Sequence, residues 1–221
     1  MSENLPTIKS PELVFGIAGP IGVDMDAIVA SLSDALTAVH YRPVPIRLTE
    51  TMQAFHADVD LPRTNFYEES KFKMAYGNAI CRDAQDRARL ARMAVLAIRS
   101  CRQAATGDAD HAADGTAYII RQLKRPDEVA LLRRVYGRQF VLVSAYGPIE
   151  QRRLALQEAL RRSLSTRTTP AELAAKADQL IADDASEEAD PFGQKLRDTF
   201  HRGDVFIDGL SRLAMAEKLT R

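Results

Sequence analysis

A glycine-rich turn between an apolar run and a helical pattern constrains the fold of this chain most strongly. The apolar residues Leu13–Phe15 precede the turn Gly16–Gly22, and apolar residues then recur at three- and four-residue steps from Met25 to Val39. This order predicts a buried strand, a tight turn and a helix that packs on the sheet. The amides of such a turn and the start of its helix face one space, where an anion is favoured.

Further short apolar runs alternate with helical patterns along the rest of the chain. A strand is predicted within 41–50, and its prolines Pro43 and Pro45 suit a sheet edge. Three more strands are predicted at 118–120, 140–143 and 204–208. Helices are predicted over roughly 65–105 with a break at Gly77, over 126–136 before Gly137, and from about 149, 171, 190 and 210. The predicted fold class is therefore α/β, a three-layer doubly wound fold with a mostly parallel five-stranded sheet.

The length and the charge balance of the chain limit the classes of protein to which it can belong. The 221 residues suit one domain, 1–221, with 1–11 as a flexible N-terminal tail. The 30 basic and 30 acidic residues balance, so we expect no general nucleic-acid binding.

No apolar run is long enough to span a bilayer, and the first residues do not resemble a secretory signal, which favours a cytoplasmic location without membrane binding. Cys81 and Cys101 lie in a helical region and are expected to be reduced core residues.

The turn matches a phosphate-binding loop only in part. In the kinase pattern Gly-x-x-Gly-x-Gly-Lys-Ser/Thr, two of the glycines align with Gly19 and Gly22, whereas Asp24, Met25 and Asp26 stand at the next Gly, the Lys and the Ser/Thr. The lysine normally balances phosphate charge, and the hydroxyl helps to hold magnesium. Their replacement argues against phosphoryl transfer by this loop.

Two interpretations of the loop remain open. The glycine turn binds a nucleotide phosphate, with Asp24 and Asp26 recruiting a Mg²⁺ ion that the nucleotide carries. Alternatively, Asp24 or Asp26 caps the helix, because a carboxylate at the N-cap accepts the same amides that a phosphate would use.

Basic residues follow the third and fourth predicted strands, at the sheet edge where open α/β folds bind ligands. Arg152 and Arg153, with Arg161 and Arg162 farther along the same helix, form either a phosphate clamp or ion pairs with Glu150 and Glu158. Arg121, Lys124 and Arg125, which follow the third predicted strand, are likewise either phosphate ligands or partners of nearby acidic residues. The candidate nucleotide-binding residues are Gly19, Gly22, Asp24, Asp26, Arg121, Arg152 and Arg153.

Other polar features receive no catalytic role. The acidic run Asp183–Asp190 is expected to be a solvated connection. The four histidines are isolated, and neither His-x-Glu nor Pro-Cys-x-x-Cys occurs, so the chain has no zinc site of the nucleobase-deaminase type. We assign no catalytic residue and no metal site.

At the level of motifs, Gly19–Val23 resembles the loop of deoxynucleoside and nucleoside-monophosphate kinases. A narrower resemblance covers nearly the whole chain from Leu13 to Asp208. The chain is similar to the N-terminal P-loop-kinase-like domain of bacterial anti-phage deoxycytidylate (dCTP/dCMP) deaminases. The stretches that carry this resemblance are Tyr118–Val129, Leu131–Phe140, Ala145–Pro148, Asp190–Phe200 and Asp204–Asp208.

The resemblance implies a regulatory or nucleotide-sensing module that does not deaminate. In that family the zinc deaminase domain follows this one, so we expect it to be absent from this chain. Expected partners are a deoxynucleotide or ATP-like nucleotide with Mg²⁺, a deaminase domain in cis or in trans, and further copies in a homo-oligomer. Two alternatives remain: a small nucleotide or nucleoside kinase with an atypical loop, and a structural module that binds a partner without nucleotide.

Overall fold

The computed structural model describes residues 10–52, 57–186 and 190–220. Within these residues, five strands form one sheet in the order β2-β3-β1-β4-β5, and every neighbouring pair is parallel. The strands are β1 (Leu13–Ala18), β2 (Arg42–Arg47), β3 (Thr116–Leu123), β4 (Phe140–Tyr146) and β5 (Val205–Asp208). The strand that leads into the glycine turn therefore lies at the centre of the sheet, and β2 lies at an edge as its prolines predict.

Helices connect the strands and cover both faces of the sheet. Their bounds are α1 (Met25–Ala38), α2 (Leu48–Met52), α3 (Phe66–Asp83), α4 (Arg89–Thr106), α5 (Pro126–Tyr136), α6 (Ile149–Ser163), α7 (Pro170–Ser186), α8 (Leu196–Phe200) and α9 (Arg212–Leu219). A short 3₁₀ turn, Gly137–Gln139, joins α5 to β4. The three-layer α/β prediction is confirmed.

Alternating side chains of β1 supply the two main cores. Val14 and Ala18 face a large core with α2, α4 and α5, whereas Phe15 and Ile17 face a second core with α1 and α9. This alternation follows from the two-residue period of a strand. A third, smaller core joins α6 and α7 and includes Ile21 of the glycine turn. The turn therefore contacts the α6–α7 pair directly.

Two predicted helix boundaries are wrong. Gly77 does not interrupt a helix: α3 continues through it to Asp83, and the break falls at 84–88, where Gln85 has a positive φ of 49°. Burial of the following residues Ala79, Ile80 and Cys81 in the large core outweighs the cost of a glycine within a helix, which is about 1 kcal/mol. The helix predicted from Asp190 begins only at Leu196, because the preceding residues form turns.

Two other predictions fall partly outside the described residues. Residues 1–9 of the predicted N-terminal tail are not described, and neither are 187–189 of the acidic run. Among the described residues, no helix is both long enough and apolar enough to cross a membrane.

Candidate functional site

The glycine turn lies between the end of β1 and the start of α1, against α6. Gly22 has φ +92°, and a Cβ atom there would lie 2.9 Å from both the Cβ and the carbonyl oxygen of Arg152. Gly19 has a similar close approach, since its Cβ would lie 3.2 Å from the Cβ of Ala145 on β4. Gly22 is therefore required by backbone conformation and packing, and Gly19 is favoured by packing alone, whether or not a ligand binds.

Asp24 caps α1. Its Oδ1 atom accepts a hydrogen bond from the backbone nitrogen of Ala27 at 2.9 Å, and its Oδ2 atom lies 3.3 Å from Nη2 of Arg212 on α9. The capping interpretation is confirmed for Asp24. One of the amides that a phosphate would use at this helix start is thus already bonded.

Asp26 has a different role from Asp24. Its side chain is 75% exposed and forms an ion pair with Arg121 of β3, while Nη2 of Arg47 at the end of β2 lies 3.9 Å from Oδ1. The two predicted site residues Asp26 and Arg121 are therefore brought together, but as partners of each other. Arg121 lies within β3, which is longer than the predicted strand.

A buried contact to the turn comes from a residue that was not predicted to belong to the site. Asp184, in the last turn of α7, accepts a hydrogen bond from the backbone nitrogen of Ile21, with 2.9 Å between Oδ2 and nitrogen. Its other oxygen lies 2.7 Å from Nζ of Lys124. The Asp184 side chain is only 4% exposed, so the prediction that the acidic run is a solvated connection is wrong at this residue.

A periodicity in α7 explains why Asp184 is buried. Leu173, Ala177 and Leu180 are buried in the small core that α7 shares with α6, and Asp184 follows them at the same three- and four-residue steps. A charged residue on an apolar helix face requires a partner. Lys124 and the Ile21 amide supply it.

Arg152 holds the next peptide group of the turn, between Ile21 and Gly22. Its Nη1 atom donates to the carbonyl oxygen of Ile21 at 3.2 Å, and its Nε atom donates to the carbonyl oxygen of Gly147 at 3.1 Å. Burial lowers the pKa of the Arg152 guanidinium, and the nearby negative charge of Asp184 opposes that shift. Arg152 thus belongs to the site by supporting the turn.

Arg153 is separate from the turn. It forms ion pairs with Glu150 of the same helix and Asp178 of α7. Hydrogen bonds to Asp178 and then to Glu150 raise the pKa of its guanidinium. The structure therefore places Arg153 in the ion pairs that the sequence left as an alternative, and it is not among the residues that line the cavity described next.

A cavity of about 650 Å³ opens beside the turn. Residues 20–26 form one side, and α3 and α6 form the walls. Its apolar lining includes Met52, Phe66, Met74, Leu90 and Leu156. Cationic side chains that reach it are Lys73, Lys124, Arg125 and Arg162. An apolar chamber with several cations suits a ligand that has a flat apolar part and a negative group.

A buried network of hydrogen bonds forms the base of this cavity. Arg125 is 2% exposed and contacts Glu128 at 3.0 Å between Nη1 and Oε1, and it also donates to Asn78 of α3. Glu128 in turn accepts from the backbone nitrogens of Lys124 and Arg125 at 2.8 and 3.0 Å. These contacts hold the segment after β3, and with it Lys124, in position beneath the turn.

The acidic residues of the turn are poorly arranged for an inner-shell metal. Asp24 and Asp26 are each engaged by an arginine. In the described part of the chain, no group of three or more histidine, cysteine, aspartate or glutamate side chains is placed to hold a metal ion.

Comparison with known proteins gives distant structural likenesses. No protein-family model matches the chain, and no curated protein sequence matches it. A gluconokinase from Sinorhizobium meliloti 1021 is similar with a TM-score of 0.45 and 13% identity, over 96% of this chain and 91% of that one. The tunicamycin resistance protein of Deinococcus radiodurans gives 0.44 and 15%, over 96% and 94%.

A third solved structure has a similarly distant likeness to the chain. The shikimate kinase from Bacteroides thetaiotaomicron is similar with a TM-score of 0.42 and 10% identity, over 95% of each chain. All three TM-scores are below 0.5. The chain's own strand order, with the glycine turn after its central strand, establishes a three-layer α/β fold that holds this turn at the carboxyl edge of a parallel sheet.

Proposed function

We propose that this chain is a nucleotide-binding regulatory module whose glycine turn does not carry out phosphoryl transfer. The observation that carries the proposal is the contact between Asp184 and the Ile21 amide. A carboxylate of the protein is bonded where a catalytic loop would offer its amide to a phosphate. The lysine and hydroxyl of the kinase pattern are replaced by Met25 and Asp26, so the charge that develops during transfer lacks its usual partners.

The cavity supports nucleotide binding. Its walls combine the ring of Phe66 and the flexible side chain of Met74 with the cations Lys73 and Arg162. A nucleobase and sugar suit the apolar walls, and phosphates suit the cations. The ligand class is therefore a nucleotide bound in the cavity between α3 and α6.

The biological setting that we propose is an anti-phage system that depletes cytosine deoxynucleotides. This part of the proposal is supported by the sequence resemblance, whose most specific stretch is Ile119–Pro126. In this setting the chain senses dCTP or dCMP and regulates a deaminase domain in the same or a separate chain. The neighbouring reading frame would support this setting if it encoded His-x-Glu and Pro-Cys-x-x-Cys.

Calorimetric titration with dCTP, dCMP, dTTP and ATP tests the binding. Arg162 lines the cavity, whereas its neighbour Arg161 does not, although both pair with Glu158. We expect R162Q to weaken nucleotide binding by about tenfold because one cation near the phosphates is lost, and R161Q to leave it unchanged. Absence of binding by the wild-type chain to all four nucleotides would overturn the proposal. Tight association with a deaminase domain in nucleotide-free protein would then favour a structural role.

A second candidate function is an active nucleotide kinase that draws its cation from outside the loop. Lys124 favours it, because its Nζ atom lies 2.7 Å from the carboxylate that holds the Ile21 amide. Detection of ATP-dependent phosphoryl transfer to dCMP, abolished by K124Q and by D26A, would support this candidate. No transfer under saturating Mg²⁺-ATP would exclude it for that acceptor.

A further inference from the structure

Ile21 is held at both its backbone nitrogen and its carbonyl oxygen, which belong to two successive peptide groups, by residues far away in the sequence. Asp184 accepts from its nitrogen at 2.9 Å, and Arg152 donates to its oxygen at 3.2 Å. The Ile21 side chain also packs against the small apolar core of α6 and α7. The conformation of the turn is therefore coupled to the end of α7.

The contact of Asp184 has the chemistry of a bound anion. A buried carboxylate accepts from a backbone amide of the turn and from an ammonium group, which are the two kinds of donor that a phosphate-binding loop supplies. Lys124 is 13% exposed and supplies the cation that the loop sequence lacks. The carboxylate thus takes the place of a phosphate oxygen at Ile21.

A nucleotide phosphate and Asp184 cannot use this position together. Both are negative, and a shared buried position would put two like charges within a few ångströms of each other, which is strongly unfavourable. Lys124 and the Ile21 amide become available to an added anion only when Asp184 moves. Such a movement shifts the last turn of α7.

We propose that Asp184 is an internal anionic ligand of the glycine turn and that a polyphosphate group binds there by displacing it. The inference rests on the proposed function, since it assigns the regulation of the same site. Asp184 then converts phosphate binding into a movement of the C-terminal end of α7. The free and bound states differ in the partner of the Lys124 ammonium, which is Asp184 in one and phosphate in the other.

Titration of inorganic tripolyphosphate into D184A and D183A tests the proposal. The two variants remove the same charge from adjacent residues, but Asp183 pairs with Lys71 instead of the turn. We expect D184A to bind tripolyphosphate at least about tenfold more tightly than the wild-type chain, and D183A to bind like the wild type. An equal gain in tripolyphosphate affinity in both variants, or no gain in affinity in D184A, would overturn the proposal.

A second measurement on the wild-type chain covers the case in which D184A does not fold. Hydrogen exchange with millimolar tripolyphosphate is expected to slow at Gly19–Val23 and to become faster at the end of α7. Slower exchange in the turn without a change in α7, or no change in the turn, would overturn the proposal.

These experiments distinguish a failure of the Asp184 proposal from a failure of the proposed nucleotide-binding function. Tripolyphosphate has no base or sugar, so it reports on the turn alone. Suppose that the wild-type chain binds no nucleotide while D184A binds tripolyphosphate more tightly than the wild type. The role of Asp184 as an internal ligand is then supported, and the proposed nucleotide-sensing function is overturned. If nucleotide binds equally well to the wild type and D184A, and tripolyphosphate shows no gain, only the internal ligand fails.

Discussion

The Oδ2 atom of Asp184 lies 2.9 Å from the backbone nitrogen of Ile21, across a separation of 163 positions in the sequence. This hydrogen bond links the last turn of α7 to the glycine turn after the central strand. Together with the hydrogen bond from Arg152 to the carbonyl oxygen of Ile21, in the next peptide group, it ties the turn to α6 and α7. Four properties of the chain follow from the packing around this turn and elsewhere in the fold.

The first prediction concerns Gly22. Its φ of +92° disfavours any other residue, and a Cβ atom would lie 2.9 Å from the Cβ of Arg152. We expect G22A to lower the free energy of unfolding by about 2–4 kcal/mol, measured by urea denaturation. Gly107 is the matched control, because its φ is +80° but no atom lies within 4 Å of an added Cβ. G107A should lower the free energy of unfolding by only about 1 kcal/mol, which is the cost of a positive φ at a residue with a Cβ atom. Equal costs would mean that the contact with α6 is irrelevant.

The second prediction separates Asp24 from Asp26. Asp24 caps α1 through the Ala27 amide, whereas Asp26 is 75% exposed and forms ion pairs only. Urea denaturation of D24A should show a loss of about 1 kcal/mol, with most of it restored in D24N because asparagine is an equally good N-cap. D26A should change stability by less than about 0.5 kcal/mol. A larger loss in D26A than in D24A would contradict the assigned roles.

The third prediction concerns the buried Arg125–Glu128 pair beneath the cavity. Both side chains are at most 2% exposed, so R125M leaves the carboxylate of Glu128 buried without its guanidinium partner. We expect a loss of about 3–5 kcal/mol in chemical denaturation. The exposed pair between Arg161 and Glu158 provides the comparison, and R161M should cost less than about 1 kcal/mol. Similar losses in the two variants would show that burial of the pair does not matter.

The fourth prediction is a pH dependence at Cys81. Burial raises the pKa of the Cys81 thiol from 9.0 to about 11. A raised pKa in the folded state gives a stabilisation that is present below pH 9 and is lost as the pH rises toward 11, because the unfolded chain releases the proton first. The stability difference between the wild type and C81A should therefore shrink by about 1–3 kcal/mol over this range.

Thiol labelling provides an independent check of Cys81. Cys101 is half-buried and Cys81 is buried. In the C101S variant, Cys81 should react with a thiol reagent only at the rate of local or global unfolding. A fast reaction of Cys81 at pH 8, or a pH-independent difference between the wild type and C81A, would contradict the raised pKa.

Local patterns were sufficient for much of the fold. The strand, turn and helix around Gly19 and Gly22 and the end of α5 at Gly137 depend on neighbouring residues, so a single sequence predicts them. The cap of α1 was narrowed only to Asp24 or Asp26, and the structure selects Asp24. Gly77 misled the prediction because its helix is stabilised by burial of Ala79, Ile80 and Cys81 in the large core, which helix propensity does not include.

The candidate site could be predicted only in part, since its decisive contact is not local. Nothing in the turn indicates that Asp184 accepts from Ile21, and the acidic run around Asp184 is typical of a solvated segment. One signal was present in the sequence. Asp184 continues the apolar face of Leu173, Ala177 and Leu180, and a carboxylate on such a face indicates a buried partner. Its identity as Lys124 and the Ile21 amide required the tertiary structure.

If Asp184 is the internal ligand proposed above, it also determines the ligand concentration to which the chain responds. A group held by the chain competes with free ligands as if it were present at a fixed effective concentration. Asp184 would then raise the apparent Kd of a phosphate ligand by a constant factor. The chain would respond to nucleotide only at a correspondingly higher concentration than a turn without this carboxylate.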